Sequence, residues 1–207
     1  MKGVIPLSTL ILLSCNLAMA QDYSSRHTGI YFGASAGSAE LNNNTFERLS
    51  NHGFSNDETT SGYQIHFGYN FTPNVGLELS YTDFGDYTSE ISLPVQGSTL
   101  QEDIETGIEG AGLALVGKMP VTRGLSFYTK AGIIAWESTT LDVARMDDEQ
   151  FMELEFKAEG TDPFFGLGAE YNLGRSAIRS EYARYSLADG DESFQIDMFS
   201  LSLSYLF

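Results

Sequence analysis

The sequence of 207 residues is poor in the groups on which many enzymes and nucleic-acid-binding proteins depend. It contains three histidines and one cysteine, Cys15, so a disulfide framework is excluded, and removal of the first 20 residues would exclude thiolate chemistry as well. Only 11 basic residues stand against 28 acidic ones, for a formal net charge of −17. Because a surface of this sign repels phosphate, nucleic acid is a poor partner for the protein.

Long apolar runs are also missing after residue 20. Since residues 21–207 contain no run of 18 apolar residues, they offer no candidate transmembrane helix. The first 20 residues differ, because Lys2 precedes an apolar stretch and Ala18-Met19-Ala20 forms a small-x-small cleavage site. This order is typical of a secretory signal peptide. We therefore predict that residues 1–20 are removed and that 21–207 form one domain; lipid attachment at Cys15 is the alternative.

Alternation of apolar and polar side chains fills much of the mature chain. The clearest case is 62–71, in which Gln64, His66, Gly68 and Asn70 separate five apolar or aromatic residues. A period of two residues predicts β-strands, and the many Phe, Tyr and Gly residues favour an all-β fold. Similar segments occur at 28–38, 75–84, 107–118, 125–137, 163–171, 176–187 and at the C terminus, which gives eight predicted strands.

The last nine residues carry the alternation to the C terminus. Serines occupy positions 200, 202 and 204, and large apolar side chains occupy the positions between and around them: Phe199, Leu201, Leu203, Tyr205 and Phe207. This pattern resembles the C-terminal assembly signal of bacterial outer-membrane barrels. The resemblance implies that the barrel-assembly machinery recognises the terminal strand.

Short and long connections alternate between the eight predicted strands. Short turns follow residues 71, 118 and 171, whereas the other connections are 39–60, 85–106, 138–162 and 189–192. Strands of about 9–11 residues, even in number, with short turns at one end, predict a closed antiparallel up-and-down eight-stranded transmembrane β-barrel. We therefore expect a protein of the Gram-negative outer membrane with both termini periplasmic. A soluble barrel that binds a ligand in its cup is the alternative.

Four stretches resemble strands of the OmpA-type barrel family. They are Gly29-Ile30-Tyr31-Phe32-Gly33-Ala34, the segment 75–85, Tyr128-Thr129-Lys130-Ala131-Gly132, and Arg179-Ser180-Glu181-Tyr182-Ala183-Arg184-Tyr185. The resemblance covers nearly the whole mature chain and implies an eight-stranded outer-membrane barrel. Larger members of the family continue into a periplasmic peptidoglycan-binding domain, whereas this chain stops at Phe207, so we do not expect peptidoglycan anchoring.

Charged residues interrupt the inward faces of the predicted strands near the short turns. They are Glu78, Lys130, Glu170, Arg179 and Glu181. Buried charges persist when they are paired, so we predict a network in which Lys130 and Arg179 bridge the three glutamates. One interpretation is a plug in a barrel whose interior is about filled by its own side chains. The other, which the family resemblance implies, is a gated pore.

The four long connections are acidic. They contain four, five, eight and three of the acidic residues, in chain order, but only three basic ones: Arg48, Arg145 and Lys157. An acidic crown that faces lipopolysaccharide should recruit divalent cations between the two. No defined metal site is expected, because neither Asp147-Asp148-Glu149 nor Asp189-Gly190-Asp191-Glu192 has the spacing of a calcium loop.

The third long connection also alternates, which predicts a hairpin that turns near Asp147-Asp148. An exposed edge of such a hairpin can pair with a partner strand, although the connection can equally be a rigid loop.

Residues 193–197 do not fit the apolar outer face. Gln195 and Asp197 share the parity of Phe199 and would therefore face lipid. We expect this segment either to project above the membrane or to change phase at a bulge.

Three functions follow from these patterns. The first is an integral outer-membrane protein with a structural or adhesion-like role, in which the acidic loops meet a surface ligand. The second is a small ion-conducting porin with a salt-bridge gate in its lumen. The third is a lipid-modifying enzyme, but His27, His52 and His66 are accompanied by neither a Gly-x-Ser-x-Gly nor a His-Glu-x-x-His element. We therefore expect no catalytic residue and no cofactor.

Overall fold

The computed structural model describes residues 28–42, 55–57, 59–95, 98–146, 149–189 and 192–207. The predicted signal peptide lies outside these residues, as do His27, His52, most of the first long connection, and the turn residues Asp147 and Asp148. A search of the described residues found no helix long and apolar enough to cross a membrane.

The described residues form antiparallel β-strands joined in a single sheet. The strands are β1 Gly29–Asn42, β2 Ser55–Asp57, β3 Thr59–Thr72, β4 Val75–Val95, β5 Ser98–Pro120, β6 Leu125–Met146, β7 Glu149–Leu173, β8 Ser176–Asp189 and β9 Glu192–Leu206. Among the described residues, the short strand β2 pairs with residues 88–90 of β4. When β2 is set aside, consecutive strands pair with each other, and β9 pairs with β1 from Tyr31 and Leu206 to Asn42 and Gln195. The predicted closed eight-stranded antiparallel barrel is confirmed.

Three tight turns lie together at one end of the barrel, as predicted. In the first, the Thr72 hydroxyl accepts hydrogen bonds from the amides of Asn74 and Val75, at 3.2 and 3.0 Å. The third turn contains Gly174, whose φ of 79° favours glycine. β1 begins and β9 ends at this end, where the Phe207 amide donates to the Ile30 carbonyl at 2.9 Å.

The outer wall of the barrel carries a band of exposed apolar side chains. Alternate residues of every barrel strand contribute to it, including Phe67 on β3, Leu79 on β4, Phe165 on β7 and Leu201 on β9. Toward the end opposite the turns, the outward face changes from apolar to acidic. Acidic residues on four adjacent strands are direct cross-strand neighbours there: Asp83, Glu109, Glu137 and Glu159. This acidic row marks the upper edge of the apolar band.

Strands β4 to β7 are 21 to 25 residues long and continue well beyond the acidic row. The prediction that 85–106 is a loop is wrong, because this segment is paired antiparallel on either side of residues 96 and 97. A register shift between Asp83 and Asp86, with Gly85 at a φ of 79°, changes the phase of β4 and so obscures its alternation. We call the paired residues 86–95, 98–108, 138–146 and 149–162 the sheet extension.

The hairpin predicted in the third long connection is confirmed, since β6 and β7 remain paired up to Met146 and Glu149. The bulge considered for 193–197 is wrong. β8 and β9 stay in one register from Ser176 and Tyr205 to Asp189 and Glu192, so this segment continues as strand above the apolar band.

Candidate functional site

The half of the lumen nearest the turns holds a buried network of charges. Lys130 on β6 is central to it, because its Nζ lies 2.8 Å from Glu78 Oε1 and 2.7 Å from Glu181 Oε1. Each of these side chains points inward because alternate residues of a strand face the lumen. Lys130 therefore joins strands β4 and β8 across the interior.

Arg179 on β8 connects the remaining members of the network. Its Nη1 lies 2.8 Å from Glu78 Oε2, and its Nε lies 2.8 Å from Glu170 Oε2. The structure thus brings together all five charged residues singled out in the sequence. Lys130 and Arg179 bridge the three glutamates, and Glu78 is shared by both cations.

The network has members that the sequence analysis did not assign to it. Lys118, the last residue of the predicted strand 107–118, lies near the end of β5 with its Nζ 2.9 Å from Glu170 Oε2. The Tyr31 hydroxyl donates to Glu78 Oε2 and the Tyr128 hydroxyl to Glu181 Oε2, both at 2.7 Å. The signal that would have identified Lys118 is its parity, which it shares with the inward-facing Val116 on β5.

Two glycines let the tyrosine rings of the network lie against the barrel wall. A Cβ at Gly68 would be 2.1 Å from the Tyr31 ring, and one at Gly168 would be 2.7 Å from the Tyr128 ring. The Arg179 guanidinium lies between these rings, 4.9 Å from one centroid and 5.1 Å from the other. Because Gly68 and Gly168 have no side chain, the Tyr31 and Tyr128 rings can lie close to the backbone, where they contact the Arg179 guanidinium.

Above the network, the lumen is filled by apolar side chains rather than by the polar residues expected from the sequence. The Tyr185 ring packs between Phe84 and Phe164, at centroid distances of 4.7 and 5.0 Å. The other buried members of this apolar layer are Ala39, Leu41, Tyr87, Ile108, Ala114, Ile134, Trp136, Ala183, Leu187, Ile196 and Met198. The lumen thus consists of a charged layer near the turns and an apolar layer beyond it.

His66 lies in the charged half of the lumen, with its ring centroid 6.2 Å from that of Tyr31. Its side chain is buried, and neither ring nitrogen has a hydrogen-bond partner within the part of the chain that the structure describes. A general base needs a positioned partner within hydrogen-bond reach. The described surroundings of His66 therefore offer no catalytic pair.

Within the part of the chain that the structure describes, one edge of β7 in the sheet extension, the free edge, pairs with no other strand. This strand pairs with β6 from Met146 and Glu149 down to Tyr171, but with β8 only from Phe164 and Tyr185 onward. At the point of separation, Asp162 Oδ2 accepts hydrogen bonds from Trp136 Nε1 at 2.7 Å and from the Ala188 amide at 3.1 Å. Asp162 thus holds the two diverging strands beside each other.

The charges of the sheet extension are largely exposed. Lys157 Nζ lies 2.9 Å from Glu155 Oε1, and this hydrogen-bonded carboxylate raises the pKa of Lys157 above its ordinary value. Arg145 pairs with Asp103. Among the described residues, no group of three or more His, Cys, Asp or Glu side chains is arranged to hold a metal ion.

A closed eight-stranded antiparallel barrel with an apolar outer wall and a charged layer in its lumen is typical of an outer-membrane β-barrel protein. The chain belongs to the family described as outer membrane protein beta-barrel domain, which matches residues 8–207. The family resemblance and the outer-membrane location expected from the sequence are therefore confirmed.

Two solved structures illustrate the similarity of the fold. Neisserial surface protein A is 11% identical, with a TM-score of 0.55, and the match covers 87% of this chain and 98% of that one. The attachment invasion locus protein Ail of Yersinia pestis, in complex with the heparin analogue sucrose octasulfate, is 14% identical, with a TM-score of 0.51, and the match covers 86% and 99%. No curated protein sequence matches the chain.

Proposed function

We propose that the protein is a closed outer-membrane barrel that presents its sheet extension at the cell surface for binding partners. In this arrangement the tight turns and both chain termini face the periplasm. The extension then faces the medium, in line with the usual asymmetry of short periplasmic turns and long extracellular segments in such barrels.

The length of β4 to β7 is the observation that carries the proposal. A tilted strand crosses the membrane with about 9–11 residues, whereas these four strands have 21 to 25. The additional residues form a paired sheet that contributes nothing to crossing the bilayer. Phe156 is 56% exposed and Leu154 is 42% exposed on this sheet, and exposed apolar groups beside charged ones suit protein contacts.

The two layers in the lumen support a closed barrel rather than a pore. An ion would have to break buried pairs between Lys130 or Arg179 and their glutamates, and then pass the packed rings of Phe84, Phe164 and Tyr185. A dry apolar constriction opposes passage of ions by itself. Enzymatic activity is not part of the proposal, because the only described histidine has no catalytic partner.

The charge of the extension suggests what it binds. Sucrose octasulfate, the molecule in the Ail complex, is a polyanion. The acidic row and the acidic side chains of the extension would repel such a ligand, so we propose a basic protein surface as the partner here.

Cell adhesion tests this function. Cells that display the full chain should adhere to surfaces coated with a basic protein more strongly than cells that display a variant lacking residues 144–158. This deletion removes the tip of the β6–β7 hairpin and leaves the barrel strands below the acidic row intact, which heat-dependent gel mobility would verify. Equal adhesion of both cell types on every coating would contradict the proposed function.

A further inference from the structure

We propose that the free edge of β7 binds an extended, positively charged segment of a partner protein as an added β-strand. The proposal rests on the surface-binding function above and names its mode of recognition. The edge consists of residues 155–159, above Asp162, where the Ala188 amide of β8 still lies beside β7.

The backbone of β7 is arranged for strand addition. The Asn172 amide donates to the Gly124 carbonyl at 2.7 Å, so even-numbered residues of β7 direct their backbone groups toward β6. The register with β6 is unbroken from Tyr171 to Met152, and backbone groups alternate between the two edges of a strand. The odd-numbered residues Glu155, Lys157 and Glu159 therefore direct their amides and carbonyls toward the free edge, where β8 does not pair with them.

The usual protections of an edge strand are weak here. Natural edges are commonly blocked by proline or by lysine side chains. Pro163, which lacks an amide hydrogen, lies at the base of the edge rather than along it. Lys157 is on the edge, but its ammonium is paired with Glu155 at 2.9 Å. Glu155, Lys157 and Glu159 thus remain open to an incoming strand.

The side chains beside the edge determine which charge and which sequence pattern an added strand should have. On the outward face, Glu137 and Glu159 are direct cross-strand neighbours, an unfavourable contact that a basic side chain would relieve. On the inward face, Leu154 and Phe156 leave much of their apolar surface exposed. The preferred ligand is therefore a strand in which basic residues alternate with apolar ones.

A second copy of the chain does not fit the edge. Strands of such barrels tilt by about 35–45° from the membrane normal. Two copies upright in one membrane would bring their β7 edges together at twice this angle, so the edges would cross instead of pairing. The occupant is therefore a segment of a different protein.

Binding of synthetic peptides to the refolded full chain in phosphatidylcholine nanodiscs tests the proposal. A peptide in which lysine alternates with valine should bind at least about tenfold more tightly than one in which glutamate alternates with valine. Hydrogen exchange provides the specific signature. The amides of Glu155, Lys157 and Glu159 should become protected in the complex, whereas those of Phe156 and Ala158, already directed toward β6, should not change.

Variants at Lys157 separate backbone pairing from side-chain attraction. Lys157→Pro removes an amide donor from the free edge without removing one from the β6 pairing, and should weaken binding about tenfold. Lys157→Ala keeps the amide and should bind the peptide at least as well as the original chain. Glu159→Gln should reduce the preference for the lysine peptide.

Three outcomes would overturn strand addition: no binding of the lysine peptide, binding without protection of the odd-numbered amides, or equal binding by the proline and alanine variants. If any of these occurs while the deletion of 144–158 still reduces cell adhesion, strand addition is wrong and the surface function stands. If the deletion leaves adhesion unchanged but the peptide binds as described, the edge accepts strands and the adhesive role is wrong.

Discussion

Glu78 and Arg179 lie 2.8 Å apart, from Oε2 to Nη1, although 101 residues separate them in the chain. The same carboxylate also contacts Lys130 and accepts a hydrogen bond from Tyr31. Glu78 is therefore the junction between two arms of the network, one that ends at Glu181 and one that passes through Glu170 to Lys118. Its loss would leave two buried cations short of a counter-charge.

Glu78→Gln should strongly destabilise the barrel. The amide keeps the shape of the side chain but leaves Lys130 and Arg179 each without one of its charged partners, which costs about 3–5 kcal/mol in a buried site. Urea unfolding of the refolded protein in phosphatidylcholine vesicles measures this free energy. Glu159→Gln is the matched control on the exposed face and should change stability by less than about 0.5 kcal/mol. Equal effects of the two substitutions would contradict the importance of the junction.

Gly68→Ala should displace Tyr31 from Glu78. The added methyl would lie 2.1 Å from the Tyr31 ring, so the ring must move, at an expected cost of about 1–3 kcal/mol in the free energy of unfolding. In a Tyr31→Ala background the same substitution should cost little, because the clash is gone.

Gly117→Ala is the control for that experiment. Its Cβ would meet Thr129 Oγ1 at 3.6 Å, an ordinary contact, so stability should not fall. If the effects of Gly68→Ala and Tyr31→Ala on the free energy of unfolding are additive, the cost of Gly68→Ala does not arise from a clash with the Tyr31 ring.

The sequence predicts whether a side chain points into the lumen or outward more readily than it predicts the position of that side chain along the barrel axis. The alternation from Phe199 to Phe207 established an amphipathic terminal strand, and the structure pairs that strand with β1 and β8. Parity also placed Glu78, Lys130 and Arg179 on the inward side. The apolar layer was not predicted. To infer that Phe84, Phe164 and Tyr185 lie at the same level along the barrel axis, one must know the registers of four or more strands.

Two further errors have local causes. The phase change at Gly85 made the upper part of β4 look irregular, so a paired strand was taken for a loop. Lys118 lies at the end of a predicted strand, beside a short turn, and was missing from the predicted network, whereas its long side chain reaches Glu170 in the lumen. A bulge thus defeats an argument from alternation alone, whereas Lys118 was missed although its parity with Val116 marks it as inward-facing.

The refolded barrel should show no conductance steps in a planar bilayer, and neither should Lys130→Ala. Removing one charge opens the charged layer, but Phe84, Ile134 and Tyr185 still fill the layer above it. A variant that combines Lys130→Ala with Phe84→Ala and Tyr185→Ala should conduct, provided that circular dichroism shows an intact barrel. Steps from the unmodified protein would instead support the gated pore, and steps from Lys130→Ala alone would show that the apolar layer is no barrier.

Phe207→Ala should slow assembly of the barrel in cells without unfolding the finished protein. The Phe207 side chain is 71% exposed, while its amide, which the substitution retains, donates to the Ile30 carbonyl. Loss of its lipid contact should cost about 1 kcal/mol of stability. If the assembly machinery reads the terminal aromatic, pulse-chase measurement of heat-modifiable protein should show delayed folding in the membrane.

Phe71→Ala is the matched control, because Phe71 is 54% exposed at the same end of the barrel but lies far from the C terminus. It should lose a similar lipid contact and yet assemble at the normal rate. The comparison therefore separates recognition of Phe207 by the assembly machinery from its contact with lipid. An equal delay in both variants would mean that contact with lipid, rather than recognition of the last strand, explains the effect of Phe207→Ala.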